Sequence, residues 1–178
     1  MLHEIIIAGF GGQGVMSMGQ LIAYSGMIEN KHVSWLPSYG PEQRGGTANV
    51  NVIVSDEPVG SPVISRPTAA IVLNKPSFDK FEPTVRPGGV LIVNSSLIDS
   101  KSKRDDITII EVDATKLANE LGESRVANSI ILGAFLAISN AVSEDSVIES
   151  LKKVLPERRH NLIPINKAAL EKGAELIK

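Results

Sequence analysis

A glycine-rich stretch near the amino terminus constrains the fold of this chain more than any other feature. Gly9, Gly11 and Gly14 follow an apolar run at 4–8 and precede a helical pattern over 15–29. A buried strand, a tight G-x-G-x-x-G turn and a helix, in that order, are typical of Rossmann-like domains. Glycine permits positive φ in the turn, and unpaired N–H groups at the helix start favour an anion. The stretch therefore predicts a ligand-binding turn or a tightly packed structural one.

The rest of the chain extends this start into a single α/β domain over residues 1–178. Further strands are predicted at 32–36, 47–55, 69–73, 90–93 and 107–112. The first two strands flank a helix and should run parallel. The link before 47–55 is too short for a crossover helix, so that strand should run antiparallel to its neighbour or lie at an edge. The prediction is a three-layer αβα Rossmann-like fold with a mixed, mostly parallel sheet.

The carboxyl-terminal part is predicted to be helical. Asp113 should cap one helix, and Ser143 should cap another that Pro156 ends. The stretch 128–142 is apolar nearly all round, so its helix should be central and buried. An amphipathic helix should follow Pro164.

Composition excludes several classes of function. The chain has no cysteine and a net charge of −2, which argues against disulfides, cysteine-ligated clusters and nucleic-acid binding. No signal peptide is evident, and the longest apolar run, 130–138, is too short to span a membrane. His3, His32 and His160 lack ligand spacing, so we expect no metal site. No catalytic set emerges, and a cytoplasmic location is expected.

Two glycine-rich segments are the candidate binding residues. The second segment spans 38–46 and follows the second strand, so both segments should meet at one edge of the sheet, where open α/β sheets bind ligands. Arg44 suits a carboxylate or phosphate. A dinucleotide site also needs an acidic residue near the end of the second strand, and none stands there. The predicted site residues are Gly11, Gly12, Gln13, Gly14, Ser38, Tyr39, Arg44, Gly45 and Gly46.

Taken together, the two segments resemble those of the gamma subunit of the 2-oxoacid:ferredoxin oxidoreductases. The motifs at 55–58, 60–62 and 87–89 are also similar to that family, and the likeness covers nearly the whole chain. The motifs at 35–40 and 155–158 look most like the 2-oxoglutarate type, with the 2-oxoisovalerate and pyruvate types next.

The resemblance implies a subunit of an enzyme that converts a 2-oxoacid, coenzyme A and oxidised ferredoxin to acyl-CoA, carbon dioxide and reduced ferredoxin. It implies that thiamine diphosphate and [4Fe–4S] clusters lie on alpha, beta or delta subunits, which are the expected partners with ferredoxin. It assigns no catalytic residue to this chain. The glycine-lined edge would contact coenzyme A or dock on the alpha subunit.

Two alternatives stay open on the residues alone. One is a stand-alone Rossmann-like nucleotide-binding protein, and the other is a purely structural subunit. An isolated subunit with an exposed apolar docking face is also expected to form homodimers when it is expressed alone.

Overall fold

A computed structural model describes residues 1–39 and 47–177. Its strands are β1 (Leu2–Phe10), β2 (His32–Tyr39), β3 (Thr47–Ser55), β4 (Ala69–Val72), β5 (Val90–Asn94) and β6 (Thr108–Val112). Its α-helices are α1 (Val15–Ile28), α2 (Lys75–Phe81), α3 (Ala114–Glu120), α4 (Ala127–Ser139), α5 (Glu144–Val154) and α6 (Ile163–Glu175). Short 3₁₀ turns cover Glu82–Thr84, Ser124–Val126 and Glu157–Leu162.

The strands form one six-stranded sheet in the order β2-β3-β1-β4-β5-β6. Strand β3 runs antiparallel to both β1 and β2, whereas β1, β4, β5 and β6 are parallel. Strands β1 and β2 therefore point the same way, as predicted, with β3 inserted between them. The mixed, mostly parallel sheet is confirmed, and β2 rather than β3 lies at the edge.

Strand β2 is longer than its sequence pattern predicts. The expected strand ended at Leu36, but Pro37 pairs with Val50, and Tyr39 pairs with Ala48. Pro37 has no N–H to donate, which a strand tolerates at the edge of a sheet. Ser38 and Tyr39 consequently belong to β2, not to the loop in which the sequence placed them.

Helices cover the two faces of the sheet unequally. One core contains buried residues of α1, α3, α4, α5 and α6 packed on β1, β3 and β4. The second core lies on the opposite face and contains Phe78 and Phe81 of α2, with Ile64 and Ile98 from connecting segments. The three-layer arrangement is present, and its second helical layer is thin. Among the described residues, no helix is both long and apolar enough to cross a membrane.

Of the two predicted helix caps, one is confirmed and the other is formed by a different residue. The Ser143 hydroxyl accepts the Ser146 N–H at 3.2 Å, which confirms the cap of α5. Asp113 stands at the cap position of α3, but its side chain accepts no N–H of that helix. Instead Asp113 accepts a 2.5 Å hydrogen bond from the Ser96 hydroxyl, and the Ser96 oxygen accepts the Thr115 N–H. The aspartate therefore orients a capping serine that comes from another segment.

A charged contact ties the end of α1 to the segment between α4 and α5. The Glu29 carboxylate lies 2.7 Å from the Lys31 ammonium and accepts the Ser143 N–H at 2.7 Å. Lys31 also donates to the Ala141 carbonyl at 2.9 Å. Burial opposes ionisation of Glu29, but the hydrogen bonds from Lys31 and Ser143 outweigh it and lower its pKa from 4.5 to about 2.

This contact makes stability depend on acid pH. Because the pKa of Glu29 is lower in the folded chain, the ionised carboxylate stabilises the fold. This contribution to the free energy of unfolding is fully present above pH 4.5 and is lost as the pH falls towards about 2. We expect Glu29→Gln to reduce the free energy of unfolding by about 1–2 kcal/mol near neutral pH. Urea unfolding across the acid range should show the two proteins converging near the lower pKa. Glu57→Gln, at an exposed position, is the control, and an equal loss there would contradict the account.

Candidate functional site

The turn between β1 and α1 adopts a backbone conformation that requires glycine at two positions. Gly12 has φ of +92° and Gly14 has φ of +79°, both in the left-handed region. Gly14 immediately precedes α1, and no side chain caps that end of the helix. The turn is closed by a backbone hydrogen bond of 3.2 Å from the Gln13 N–H to the Phe10 carbonyl. The free N–H groups at the start of α1 therefore face the carboxyl edge of the sheet.

Gln13 closes the crevice between β1 and β4. Its Oε1 accepts the Phe10 N–H at 2.6 Å, and its Nε2 donates to the Leu73 carbonyl at 3.1 Å. A Cβ on Gly9 would lie only 2.6 Å from Gln13 Oε1, so Gly9 makes room for this side chain. The crevice lies where connections leave to opposite faces of the sheet, since α1 and α2 belong to different cores. Dinucleotides bind at such switch points, and here a protein side chain spans the crevice.

A cavity of about 470 Å³ lies beside the turn, on the side of the larger core. The turn itself, the start of α4, the end of α5 and the segment leading into α6 form its walls. Its polar lining comes mainly from Asn94, Thr115, Asn128, Ser129, Arg125, Arg159 and Asn166. Its apolar lining includes Met18, Leu21, Ile131, Leu132 and Leu151. The volume is within the range of small-molecule sites, but these apolar residues are core residues that are at most 7% exposed.

The side-chain amides of the cavity differ in how well they are paired. The Ser129 hydroxyl donates to Asn166 Oδ1 at 2.7 Å, and Asn166 Nδ2 donates to the Leu162 carbonyl at 2.7 Å. Asn94 is 5% exposed and its Oδ1 accepts the Ser96 N–H at 3.2 Å. Within the described part of the chain, Asn94 Nδ2 and both amide atoms of Asn128 make no hydrogen bond. Among the described residues, the fully buried side-chain polar atoms without a partner are instead Trp35 Nε1 and Asn74 Nδ2, neither of which lines the cavity.

The two arginines of the cavity differ in whether they form an ion pair. Arg125 donates to both carboxylate oxygens of Glu123, at 2.8 and 2.7 Å, and these hydrogen bonds lower the pKa of Glu123 to about 2. Arg159 forms no ion pair with a residue in the described ranges. Arg159 is therefore the guanidinium with free capacity for an anion.

The structure brings together only part of the predicted site. Gly12, Gln13 and Gly14 line the cavity, and Gly11 is an exposed neighbour in the same turn. Ser38 and Tyr39 lie at the same edge of the sheet, but β3 separates them from β1, and they do not line the cavity. Arg44, Gly45 and Gly46 lie outside the described residues.

Sequence reasoning missed Asn94, Asn128 and Arg159. A signal was available for Asn94, because it is the polar residue that ends the apolar run of β5 at the carboxyl edge. Asn128 lies in the first turn of an apolar helix, where a polar residue is easily taken for a solvated one. Among residues 1–39 and 47–177, no group of three or more His, Asp or Glu side chains is arranged to hold a metal ion.

Comparison with known proteins gives the relationships of the chain. Residues 4–176 match the family described as pyruvate ferredoxin/flavodoxin oxidoreductase. The chain belongs to this family. The resemblance to the gamma subunit is confirmed as well, because the family member keto/oxoacid ferredoxin oxidoreductase, gamma subunit, from Geobacter sulfurreducens superposes with a TM-score of 0.86 at 29% identity. That match covers 99% of this chain and 97% of the other.

Relatives within the family differ in length and in the 2-oxoacid that they are named for. The 2-oxoglutarate synthase subunit KorC of Methanocaldococcus jannaschii is 32% identical over 100% of this chain and 95% of its own length. The ketoisovalerate oxidoreductase subunit VorA of Methanothermobacter marburgensis is 40% identical over 97% of this chain. The chain spans only 36% of that relative.

A longer solved structure shares the fold. The 2-oxoglutarate:ferredoxin oxidoreductase from Magnetococcus marinus, solved with 2-oxoglutarate, coenzyme A and succinyl-CoA bound, superposes with a TM-score of 0.88 at 22% identity. The match covers 99% of this chain and 31% of that one. At this identity the likeness shows the fold alone.

Proposed function

We propose that this chain is the gamma subunit of a multi-subunit 2-oxoacid:ferredoxin oxidoreductase. The full-length similarity to a gamma subunit and to KorC is the observation that carries the proposal. The enzyme would oxidatively decarboxylate a 2-oxoacid to acyl-CoA and carbon dioxide, and would pass the electrons to ferredoxin. Thiamine diphosphate and [4Fe–4S] clusters would lie on the alpha, beta or delta subunits. The proposal includes the single unit over 1–178 and the cytoplasmic location expected from the sequence.

The proposed 2-oxoacid is 2-oxoglutarate. KorC, named for that substrate, is matched over nearly its whole length, whereas VorA, named for ketoisovalerate, is matched over about a third. The higher identity to VorA makes 2-oxoisovalerate the competing substrate. Assay of the assembled enzyme with both acids distinguishes them, and faster turnover of 2-oxoisovalerate would contradict the choice.

Copurification tests the proposal as a whole. The tagged chain, expressed in its native host, should bring down thiamine-binding alpha and beta subunits in stoichiometric amounts. Thiamine diphosphate and iron should be measured in the same preparation. If the chain is recovered without such subunits, the proposal fails.

At the carboxyl edge of the sheet, the proposed role is contact with coenzyme A. The backbone N–H groups of Gly11, Gly12 and Gly14 would serve as donors, because the start of α1 has no capping side chain. Arg44 would bind a phosphate or carboxylate through its planar guanidinium. Docking on the alpha subunit through the same edge is the alternative role. The exposed side chains of Phe10 and Tyr39 lie at this edge and suit such a contact.

Substitution of Arg44 distinguishes these roles. In the assembled enzyme, Arg44→Ala should raise the KM for coenzyme A by about tenfold, since one charge-assisted contact is lost, while kcat changes little. Arg66→Ala is the matched control, because Arg66 is exposed and precedes β4 at the opposite edge. An unchanged KM in an intact complex would remove Arg44 from coenzyme A binding and leave the docking role.

A further inference from the structure

We infer that this chain pairs with a second copy of itself through the free side of β2, so that two six-stranded sheets join across a two-fold axis. Strand β2 is the last strand on one side of the sheet. Among the described residues, none in the range 32–36 forms a backbone hydrogen bond outside the sheet. The N–H and C=O groups on the free side of β2 therefore form an open template for another strand.

The elements on this side of the sheet carry no Asp, Glu, Lys or Arg, although these residues make up 21% of the chain. This is true of all of α1, β2 and β3. By contrast, α5 has five charged residues among its 11. Exposed strand edges are ordinarily protected from association by charged side chains, and the centres of protein interfaces are depleted of charge. The composition of these three elements therefore indicates a surface that another protein surface covers.

Helix α1 extends the uncharged surface beside β2. Gly19 and Gly26 face the sheet, since a Cβ on each would lie 3.1 Å from Trp35 Nε1 and 2.5 Å from Val33 Cγ1, respectively. At about 3.6 residues per turn, the flank of α1 beyond these glycines carries Met16, Gln20 and Met27. The last of these is 57% exposed. Methionine and aromatic side chains are enriched at interfaces, so this flank and β2 form one continuous docking surface.

The absence of charge favours a second copy as the occupant. A surface that meets its own copy across a two-fold axis brings like charges together, and this surface has none to repel. Pro37 lies in β2, and prolines in edge strands direct the ring nitrogen to the free side. By the alternation of the strand, the N–H groups of Val33 and Trp35 point to the same side.

These constraints centre the pairing on Ser34. Beyond it, Pro37 has no N–H to contribute, so pairing is confined to residues 32–36. In an antiparallel arrangement Val33 exchanges hydrogen bonds with the partner's Trp35, and an aromatic residue opposite a β-branched one is a favourable cross-strand pair. The two-fold axis is perpendicular to the sheet, so both α1 helices lie on the same face and meet through the flank that contains Met27.

Sedimentation of the purified full chain over a range of concentrations tests the pairing. A dimer is expected, and Ser34→Lys should weaken it by at least about tenfold, because like charges would face each other across the axis. Ser61→Lys is the matched control, because Ser61 is exposed in the segment between β3 and β4. Dilution of the original chain should also shift the emission of Trp35, the one tryptophan, to longer wavelength.

A disulfide tests the register without relying on an added charge. In an antiparallel pair the Cα atoms of a non-hydrogen-bonded position lie about 4.5 Å apart, which is within the range that a disulfide spans. The chain has no cysteine of its own. Ser34→Cys should therefore give a disulfide-linked dimer under mild oxidation, whereas Ser61→Cys should stay largely monomeric on a non-reducing gel.

Three results would overturn the inference. The first is a chain that is monomeric at every concentration, and the second is a Ser34→Lys variant that dimerises as well as Ser61→Lys. The third is an assembled enzyme in which the Ser34→Cys thiol is protected from a maleimide but forms no disulfide between copies, since another subunit would then cover β2. If the isolated chain is monomeric but copurifies with alpha and beta subunits, the inference fails and the proposed function stands.

Discussion

Replacing Gly133 or Gly173 by alanine is expected to destabilise the chain more than other single methyl additions. Helices α4 and α6 cross at these two glycines with their backbones in contact. A Cβ on Gly133 would lie 2.0 Å from the Leu170 carbonyl oxygen, and one on Gly173 would lie 1.8 Å from the Ile130 carbonyl oxygen. Because both obstacles are backbone atoms, neither can rotate away. The helices must separate, at the cost of the core between them.

The expected loss of stability is the difference between two opposing effects. Alanine favours a helix over glycine by about 1 kcal/mol, whereas overpacking a rigid contact costs about 3 kcal/mol or more. We expect a net loss of at least about 2 kcal/mol for each substitution and a fall in Tm of about 4–8 °C. Gly60→Ala is the control, because Gly60 is exposed and no atom lies within 4 Å of its Cβ position. If thermal unfolding gave the same Tm for Gly133→Ala, Gly173→Ala and Gly60→Ala, this packing would be contradicted.

Gly14→Ala should have the second large effect, and it should reach the candidate site. The substitution imposes a left-handed backbone on alanine and places its Cβ 1.8 Å from Asn128 Nδ2. The first effect costs about 1 kcal/mol. The second should turn Asn128 away from its position beside the turn. The Tm of Gly14→Ala should therefore fall by more than the backbone strain alone accounts for.

Gly12→Ala separates the two causes. Gly12 also has positive φ, at +92°, but no atom lies within 4 Å of its Cβ position. Its substitution should cost the backbone strain alone and leave Asn128 in place. Combining Gly14→Ala with Asn128→Ala should remove the clash, so that the double variant loses only the backbone strain of about 1 kcal/mol relative to Asn128→Ala. Losses of stability that add up in the double variant would contradict this account, because they would show that Gly14→Ala does not act through Asn128.

The fold could be predicted in large part because its determinants are local. The apolar run of β1, the glycine turn and the period of α1 specify a Rossmann-like start, and the short link before β3 predicts its antiparallel direction. The extension of β2 through Pro37 could not be predicted in this way. It depends on β2 being an edge strand, which is a property of the whole sheet.

Only part of the candidate site could be predicted from the sequence. Gly12, Gln13 and Gly14 form one contiguous motif, so their spacing identified them. Asn94, Asn128 and Arg159 come from three separate elements that only the tertiary fold brings together. The Asp113 cap shows the same limit, since the hydroxyl that caps α3 belongs to Ser96, from another segment.

Reconstitution of the complete enzyme tests the central claim most directly. The thiamine-binding and cluster-binding subunits should be combined with and without this chain, and 2-oxoacid-dependent, coenzyme A-dependent reduction of ferredoxin should be measured. The account predicts that full activity appears only when this chain is present in stoichiometric amounts. Full activity with a normal KM for coenzyme A in its absence would contradict the claim that this chain is a working subunit of the enzyme.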